Sequence, residues 1–389
     1  MAVASMGRTR RAGNQPQKPA FALAPARPMW ESKGDEGVTM RIVSGLAAIL
    51  LVMGVGSSSL GQTPAEAQST GLSEAGFQAY LPQLRADAER AGIRRDTLDR
   101  IFPALSFSAR TIQLDRSQPG GTPGSSPPGS FTPFAPYRAR QLSQALIDRG
   151  RARYAANLPR LQEFSRRTGV PGSIMVAIWG KETGFGANMG NFDLLNSLAS
   201  LAYEGRRRSL FTTEFIATLR LVERGFPRDE LVGSWAGAAG HPQFLPSVYL
   251  RLAVDGDGDG RPDIWRSHLD ALASIGNYFR ASGWRPGLPW GVAVRVPDGF
   301  DREAVANRLR APRCPQVFAR HSRWLTGREW QQRGIANSLP ADAMATLFEP
   351  DGPGATAYLL TNNYRVILDY NCSNFYALTV GLLADSIGR

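Results

Sequence analysis

Apolar residues recur along most of this chain three and four positions apart, the spacing of helices with one buried face. Phe77, Tyr80 and Leu84 start such a pattern, which predicts two helices over residues 73–100. Residues 138–168 set their apolar positions among many arginines and predict one long amphipathic helix. From Val170 to Ser282 the pattern stays helical, interrupted by glycine-rich stretches. Trp290 to Val296 alternates and predicts a strand, Tyr364 to Tyr370 is a second strand candidate, and 301–311, 325–334 and Phe375–Ile387 read as helices. Residues 117–136 hold a Pro/Gly/Ser run that predicts a flexible surface insertion. No internal repeat is evident. The fold class expected is mostly α (α+β), a helical core with a small β portion and helical flanking segments.

Near the start, Met40-Arg41 is followed by an apolar run from Ile42 to Gly56 and then by small residues ending in Ala65-Glu66-Ala67. The run is shorter than the roughly 20 residues a membrane helix needs. A basic start, a short apolar run and an A-x-A site make a signal peptide over 40–67; the competing reading is a buried core helix. Residues 1–39 then read as a mis-assigned start or a disordered extension. The mature region expected is 68–389, exported to the periplasm. No cysteine directly follows the apolar run, so it is not expected to be a lipoprotein.

Composition narrows the function classes. The net charge is +12, carried almost wholly by arginine. No basic block with interleaved aromatics and no zinc-finger spacing accompanies it, so no nucleic acid is expected as a partner; an anionic polymer such as the cell-wall layer suits the charge. Only three histidines and two cysteines occur, and Cys314 and Cys372 form no C-x-x-C pair, which speaks against zinc. In an oxidising compartment these two cysteines are a candidate disulfide, worth about 4 kcal/mol in the chain-entropy picture.

Candidate chemistry begins in VPGSIMVAIWGKETGFG, Val170–Gly186. Ile174, Ile178 and Glu182 stand four apart and share a helix face. An acid on an apolar face has its charged form disfavoured, which suits a general acid. A glutamate rotated into solvent or paired with arginine is the plainer alternative. Downstream, GSWAGAAGHPQFLPSVY (233–249) offers close-approach glycines, Gln243 as donor and acceptor, and Trp235, Phe244 and Tyr249 as faces for sugar rings; small residues also serve helix packing. In DGDGDGRPDIW (255–265), Asp255, Asp257 and Asp259 occupy positions one, three and five of an EF-hand-like loop, with Gly260 at six, the Arg261 carbonyl at seven and Asp263 at nine. Position twelve is Arg266, so Asp270 is the nearest candidate for the missing ligand. The expectation is a structural Ca²⁺ over 255–270, against a solvated Asp/Gly turn, and no organic cofactor.

Taken together, VAIWGKETGFG (176–186), GRRRSLF (205–211), GSWAGAAGHPQFLPS (233–247), the aspartate loop with Asp270, IGNYFRASGW (275–284) and YNCSNFYALTVGLLAD (370–385) resemble the membrane-bound lytic murein transglycosylase B family, glycoside hydrolase family 103. The likeness spans about residues 72–389. It implies a lysozyme-like fold, Glu182 as the single catalytic carboxylate, and a saccharide cleft lined by Ser234, Gln243, Phe244, Tyr278, Asn371 and Tyr376. It also implies cleavage of the MurNAc-β-1,4-GlcNAc bond of peptidoglycan glycan strands with formation of 1,6-anhydromuramic acid ends. The sequence departs from the family's pattern in lacking the lipid-attachment cysteine and in the arginine at loop position twelve. His241 is either a second proton-transfer group or a structural residue. Two rival functions stay open: a hydrolytic muramidase, for which Asp193, Glu204 and Glu214 are available second acids, and a non-catalytic peptidoglycan-binding protein. The expected state is a monomer, with cell-wall synthesis proteins as candidate partners.

Overall fold

The structure, a computed structural model, describes residues 71–117, 132–311 and 314–389. The expected extension 1–39 and signal 40–67 lie outside the described residues, as does most of the 117–136 insertion.

The helices are α1 (Glu74–Arg90), α2 (Arg95–Ile101), α3 (Ala109–Arg116), α4 (Phe134–Gln141), α5 (Gln144–Ala156), α6 (Leu158–Thr168), α7 (Gly172–Thr183), α8 (Leu194–Glu204), α9 (Arg208–Glu223), α10 (Pro246–Leu252), α11 (His268–Ala281), α12 (Pro315–Phe318), α13 (Gly327–Gln332), α14 (Asn362–Tyr370) and α15 (Asn374–Ile387). Strands β1 (Phe192–Asp193) and β2 (Val232–Gly233) make a small antiparallel pair. A second antiparallel sheet orders β3 (Gly291–Val294), β6 (Ala357–Leu360), β5 (Met344–Phe348) and β4 (Leu325–Thr326) side by side. The mostly helical class is as expected. No helix among the described residues is long and apolar enough to cross a membrane.

Three expectations need correction. Residues 138–168 form three helices, not one. The chain turns at Leu142, where Ser143 caps α5 by accepting from Leu146 N–H, and again at Asn157. There Pro159, with no N–H to donate, opens α6 instead of continuing α5. Tyr364–Tyr370 is helical, because the Thr361 side chain caps Asn363 N–H and the buried Tyr364, Ile367 and Leu368 repeat at helical spacing. Of 301–311 only a 3₁₀ turn at Glu303–Val305 exists, and within 325–334 the helix is confined to Gly327–Gln332. Strands β5 and β6 went unpredicted: all but the first residue of β5 and every residue of β6 are buried, so no alternation marks them.

The core divides into three clusters. One packs α6, α7, α11, α14 and α15 around Met175, Ile178, Ile275 and Leu378. A second packs α1, α2, α8 and α9 around Leu84, Leu198, Phe215 and Leu219. The third is the sheet's own, centred on fully buried Trp330, whose indole N–H donates to Ala345 O at 3.1 Å. Tyr278 and Tyr370 pack against both helical clusters and so mark the seam between them.

Candidate active site

Glu182 lies in the last turn of α7. Every residue from Ile174 to Gly180 is buried, so this helix is enclosed on all sides where it passes through the core. It ends abruptly: Gly184 takes φ +59° and Phe185, a non-glycine, φ +66°. Phe185 folds back onto the helix, with its ring edge-on to Trp179 at 5.5 Å and against Gly180, where a Cβ would fall 2.7 Å from the ring. Residues 182 and 183 are thereby presented at a fixed angle.

The Glu182 carboxylate accepts a hydrogen bond from the Tyr376 hydroxyl at the start of α15. Burial pushes Glu182 up to about 7, and the Tyr376 hydrogen bond and the Lys181 charge oppose that rise. It is a carboxyl that keeps its proton close to neutrality, as a general acid requires. Lys181 is pushed down to about 8 by burial and donates to Gln141 Oε1 at 2.8 Å. Tyr376 and Tyr370 are held well above the ordinary tyrosine value, first by burial and then by the Glu182 charge, so both rings remain neutral beside it.

Tyr370 was missed as a site residue from sequence. It lies at the head of the YNCSNFY motif, but reading that segment as a strand hid its direction. Its hydroxyl donates to Pro242 O, and its ring lies 4.9 Å from Tyr278. Tyr278 in turn donates to Asp369 O at 2.9 Å. Tyr137 of α4, also unforeseen, is raised by burial and by Glu182, which places it in the same electrostatic neighbourhood.

The remaining residues of the expected cleft fall into different roles. Gln243 adopts φ +50° and spends its amide hydrogens on Met189 O (3.1 Å) and Gly240 O (2.9 Å), leaving the carbonyl oxygen as the group it can offer. Ser234 is buried and its hydroxyl accepts from Ala238 N–H at 3.0 Å, closing the glycine-rich turn. Asn371 carries a buried Oδ1 with no hydrogen-bond partner. Phe244 and Tyr249 correct the reading of open sugar-stacking faces. They are 3% and 4% exposed, Phe244 backs Tyr278 and Tyr370, and Tyr249 donates to Pro262 O.

The three acids named for a two-carboxylate scheme are engaged elsewhere. Asp193 caps α8 and pairs with Arg228 at 2.9 Å. Glu204 pairs with Arg116 and Arg206. Glu214 accepts from the backbone and hydroxyl of Ser247 at 2.9 and 2.7 Å.

In the aspartate loop, oxygens of Asp255, Asp257 and Asp259 lie within 4.8 Å of one another. Three hard carboxylates at that separation fit a hard cation. Asp270 lies outside that trio. It is fully buried, and its two oxygens accept from Gly256, Asp257 and Asp263 N–H, so it braces the loop from behind. The Arg261 side chain turns away over the Phe226 ring at 3.9 Å, which leaves only its carbonyl for a ligand role. Cys314 and Cys372 form the disulfide, Cα atoms 6.0 Å apart, directly ahead of α15 and Tyr376.

Residues 76–385 match the family described as the transglycosylase SLT domain. The chain belongs to that family. Among its relatives, membrane-bound lytic murein transglycosylase B of Escherichia coli (strain K12) is 29% identical over 304 residues, covering 76% of this chain and 79% of that one. SltB3 of Pseudomonas aeruginosa, solved in complex with NAG-anhNAM-pentapeptide, shares 38% identity at a TM-score of 0.70 over 80% of this chain and 79% of that one. The E. coli lytic transglycosylase Slt35, solved in complex with calcium, shares 25% identity at a TM-score of 0.63, covering 81% of this chain and 93% of that one. The family's lysozyme-like helical fold is thus the fold of this chain.

Proposed function

We propose that residues 68–389 are an exported peptidoglycan lytic transglycosylase in which Glu182 is the catalytic acid and base. The observation that carries this reading is a carboxyl raised to about 7 by burial and hydrogen-bonded by Tyr376. Protonated Glu182 donates to the glycosidic oxygen between MurNAc and GlcNAc as the C1–O bond breaks. The muramoyl N-acetyl oxygen stabilises the charge left at C1. Glu182, now a carboxylate, takes the proton of the same sugar's C6 hydroxyl as O6 bonds to C1, closing a 1,6-anhydro ring without water. Asn371 Oδ1 and Gln243 Oε1 are acceptors suited to sugar hydroxyl or amide N–H groups. Tyr278 and Tyr370 build the wall behind the reacting sugar, with Phe244 supporting them. Ser234 acts by holding the turn that carries this loop.

A hydrolytic muramidase needs a second carboxylate to position water, and the engagement of Asp193, Glu204 and Glu214 favours the transglycosylase. The aspartate loop would hold Ca²⁺ through Asp255, Asp257, Asp259 and the Arg261 carbonyl. The ion would supply cross-linking of the loop, with no part in bond cleavage. The 40–67 segment would direct the chain to the periplasm.

The test is digestion of peptidoglycan by residues 68–389, with Glu182→Gln in parallel and products weighed by mass spectrometry. Products lighter by one water than their hydrolytic equivalents, lost with Glu182→Gln, are the expected outcome. Reducing-end products would establish a muramidase instead. Binding without cleavage would leave a wall-binding protein.

A further inference from the structure

His241 takes no part in the chemistry above, yet it meets three segments of the site. Its ring is buried and packs edge-on to Trp179, centroids 5.6 Å apart. The Trp179 indole N–H donates to His241 Nδ1 at 3.1 Å. An indole nitrogen can only donate, so Nδ1 must carry a lone pair and the ring must be neutral. Burial and then His268 push His241 down to about 4, against Asp263, with Arg153 adding to the fall. A residue held neutral in this way, with Nδ1 already used, is not placed as a second proton donor.

The backbone of His241 is equally committed. Its carbonyl accepts from Thr183 Oγ1 at 3.1 Å, and its N–H donates to Ile264 O at 2.9 Å, near the end of the aspartate loop. Trp179 and Thr183 flank Glu182 on α7, so one residue grips the helix on either side of the carboxyl. The fit is tight: a Cβ on Gly186 would fall 2.4 Å from the His241 ring. The His268 ring stacks on the face of Trp179 at 5.4 Å and 6°, itself bonded to Asn157 at 3.0 Å. The next residue, Pro242, receives the Tyr370 hydroxyl, and Gln243 follows.

We infer that His241 is a positioning residue for Glu182, acting through its Nδ1 acceptor on Trp179 to fix the last turn of the catalytic helix against the Gln243 loop. The inference rests on Glu182 being the catalytic carboxyl. Leucine at 241 keeps bulk but removes the acceptor. Asparagine places an amide oxygen near the Nδ1 position and restores it.

The test compares His241→Leu and His241→Asn with wild type on peptidoglycan. The Trp179 indole N–H cross-peak, assigned through Trp179→Phe, is followed by ¹⁵N NMR. Expected for His241→Leu is a fall in kcat of about tenfold or more with KM within twofold, together with loss of the protected indole signal; that fold-change corresponds to about 1.4 kcal/mol. His241→Asn should recover kcat to within about threefold of wild type and retain the signal. Equal kcat in all three proteins, or equal loss in both variants when each is folded by NMR, would overturn it. Glu182→Gln, run alongside, separates the two ideas: if that variant stays active the catalytic assignment fails, whereas the indole signal reports the His241 bond independently.

Discussion

At the scale of single residues, the site is governed by one desolvated carboxyl. Glu182 stands at about 7 in the folded chain against 4.5 in an open one. The proposed mechanism needs the protonated form at its first step, so kcat/KM should fall as pH rises through 7, an alkaline limb visible in a pH–rate profile. The same shift sets a stability trend. A raised carboxyl contributes stability that is fully present below pH 4.5 and lost as pH passes 7. The loss is at most about 3 kcal/mol, discounted because the residue remains partly open to solvent. Glu182→Gln should therefore melt above wild type at pH 8, with the gap closing toward pH 4.5 in thermal scans. Tyr376 pulls Glu182 down through its hydrogen bond. Tyr376→Phe should move the alkaline limb to higher pH and lower kcat by about tenfold; an unmoved limb would deny the contact a role.

At the scale of elements, the ends of helices decide the geometry more than their middles. Helix α7 stops at Gly184 and Phe185, both at positive φ, and Gly186 follows at φ +88° with the His241 ring against it. Gly186→Ala meets both obstacles and should destabilise by about 1–3 kcal/mol, seen as a lower urea midpoint. Helix α15 carries Tyr376 three residues after its Ser373 cap, which accepts from Tyr376 N–H, and the disulfide at Cys372 anchors that entry. Replacing Cys314 and Cys372 with serine releases a 58-residue separation. The expected cost approaches about 4 kcal/mol, checked by thermal unfolding, and kcat should decline with it as Tyr376 loses its anchor.

At the scale of the whole molecule, the enzyme is built where separate cores meet. Tyr278 and Tyr370 belong to both helical clusters, while the four-stranded sheet keeps a core of its own. The aspartate loop is clamped to α11 by Asp270. Calcium should raise the melting temperature of residues 68–389 and a chelator should lower it, by RT ln(1 + [L]/Kd). An unchanged transition across calcium concentrations would make the loop a turn only.

Much of this was legible in the chain itself. Helical periodicity placed α1, α7 and α15, because their apolar residues recur on a face or fill the whole surface of the helix. The order of motifs identified the family, and the four-residue spacing from Ile174 through Ile178 put Glu182 on a buried side. Alternating aspartates marked the loop whose carboxylates gather, since three carboxylates so close are costly without a cation or a turn to satisfy them. What sequence could not supply was distance and direction. The breaks inside 138–168 depend on capping and on a proline at a helix start, which compete with a continuous apolar pattern. Strands β5 and β6 are buried on both faces and leave no period to read. Tertiary packing alone brought Tyr370 and Tyr376, nearly two hundred positions along the chain, against Glu182. It also turned Phe244 and Tyr249 inward, set Asp270 behind its loop, and tied up Asp193, Glu204 and Glu214. Burial and partner choice are properties of the closed fold, and they decide which of the available acids keeps its proton.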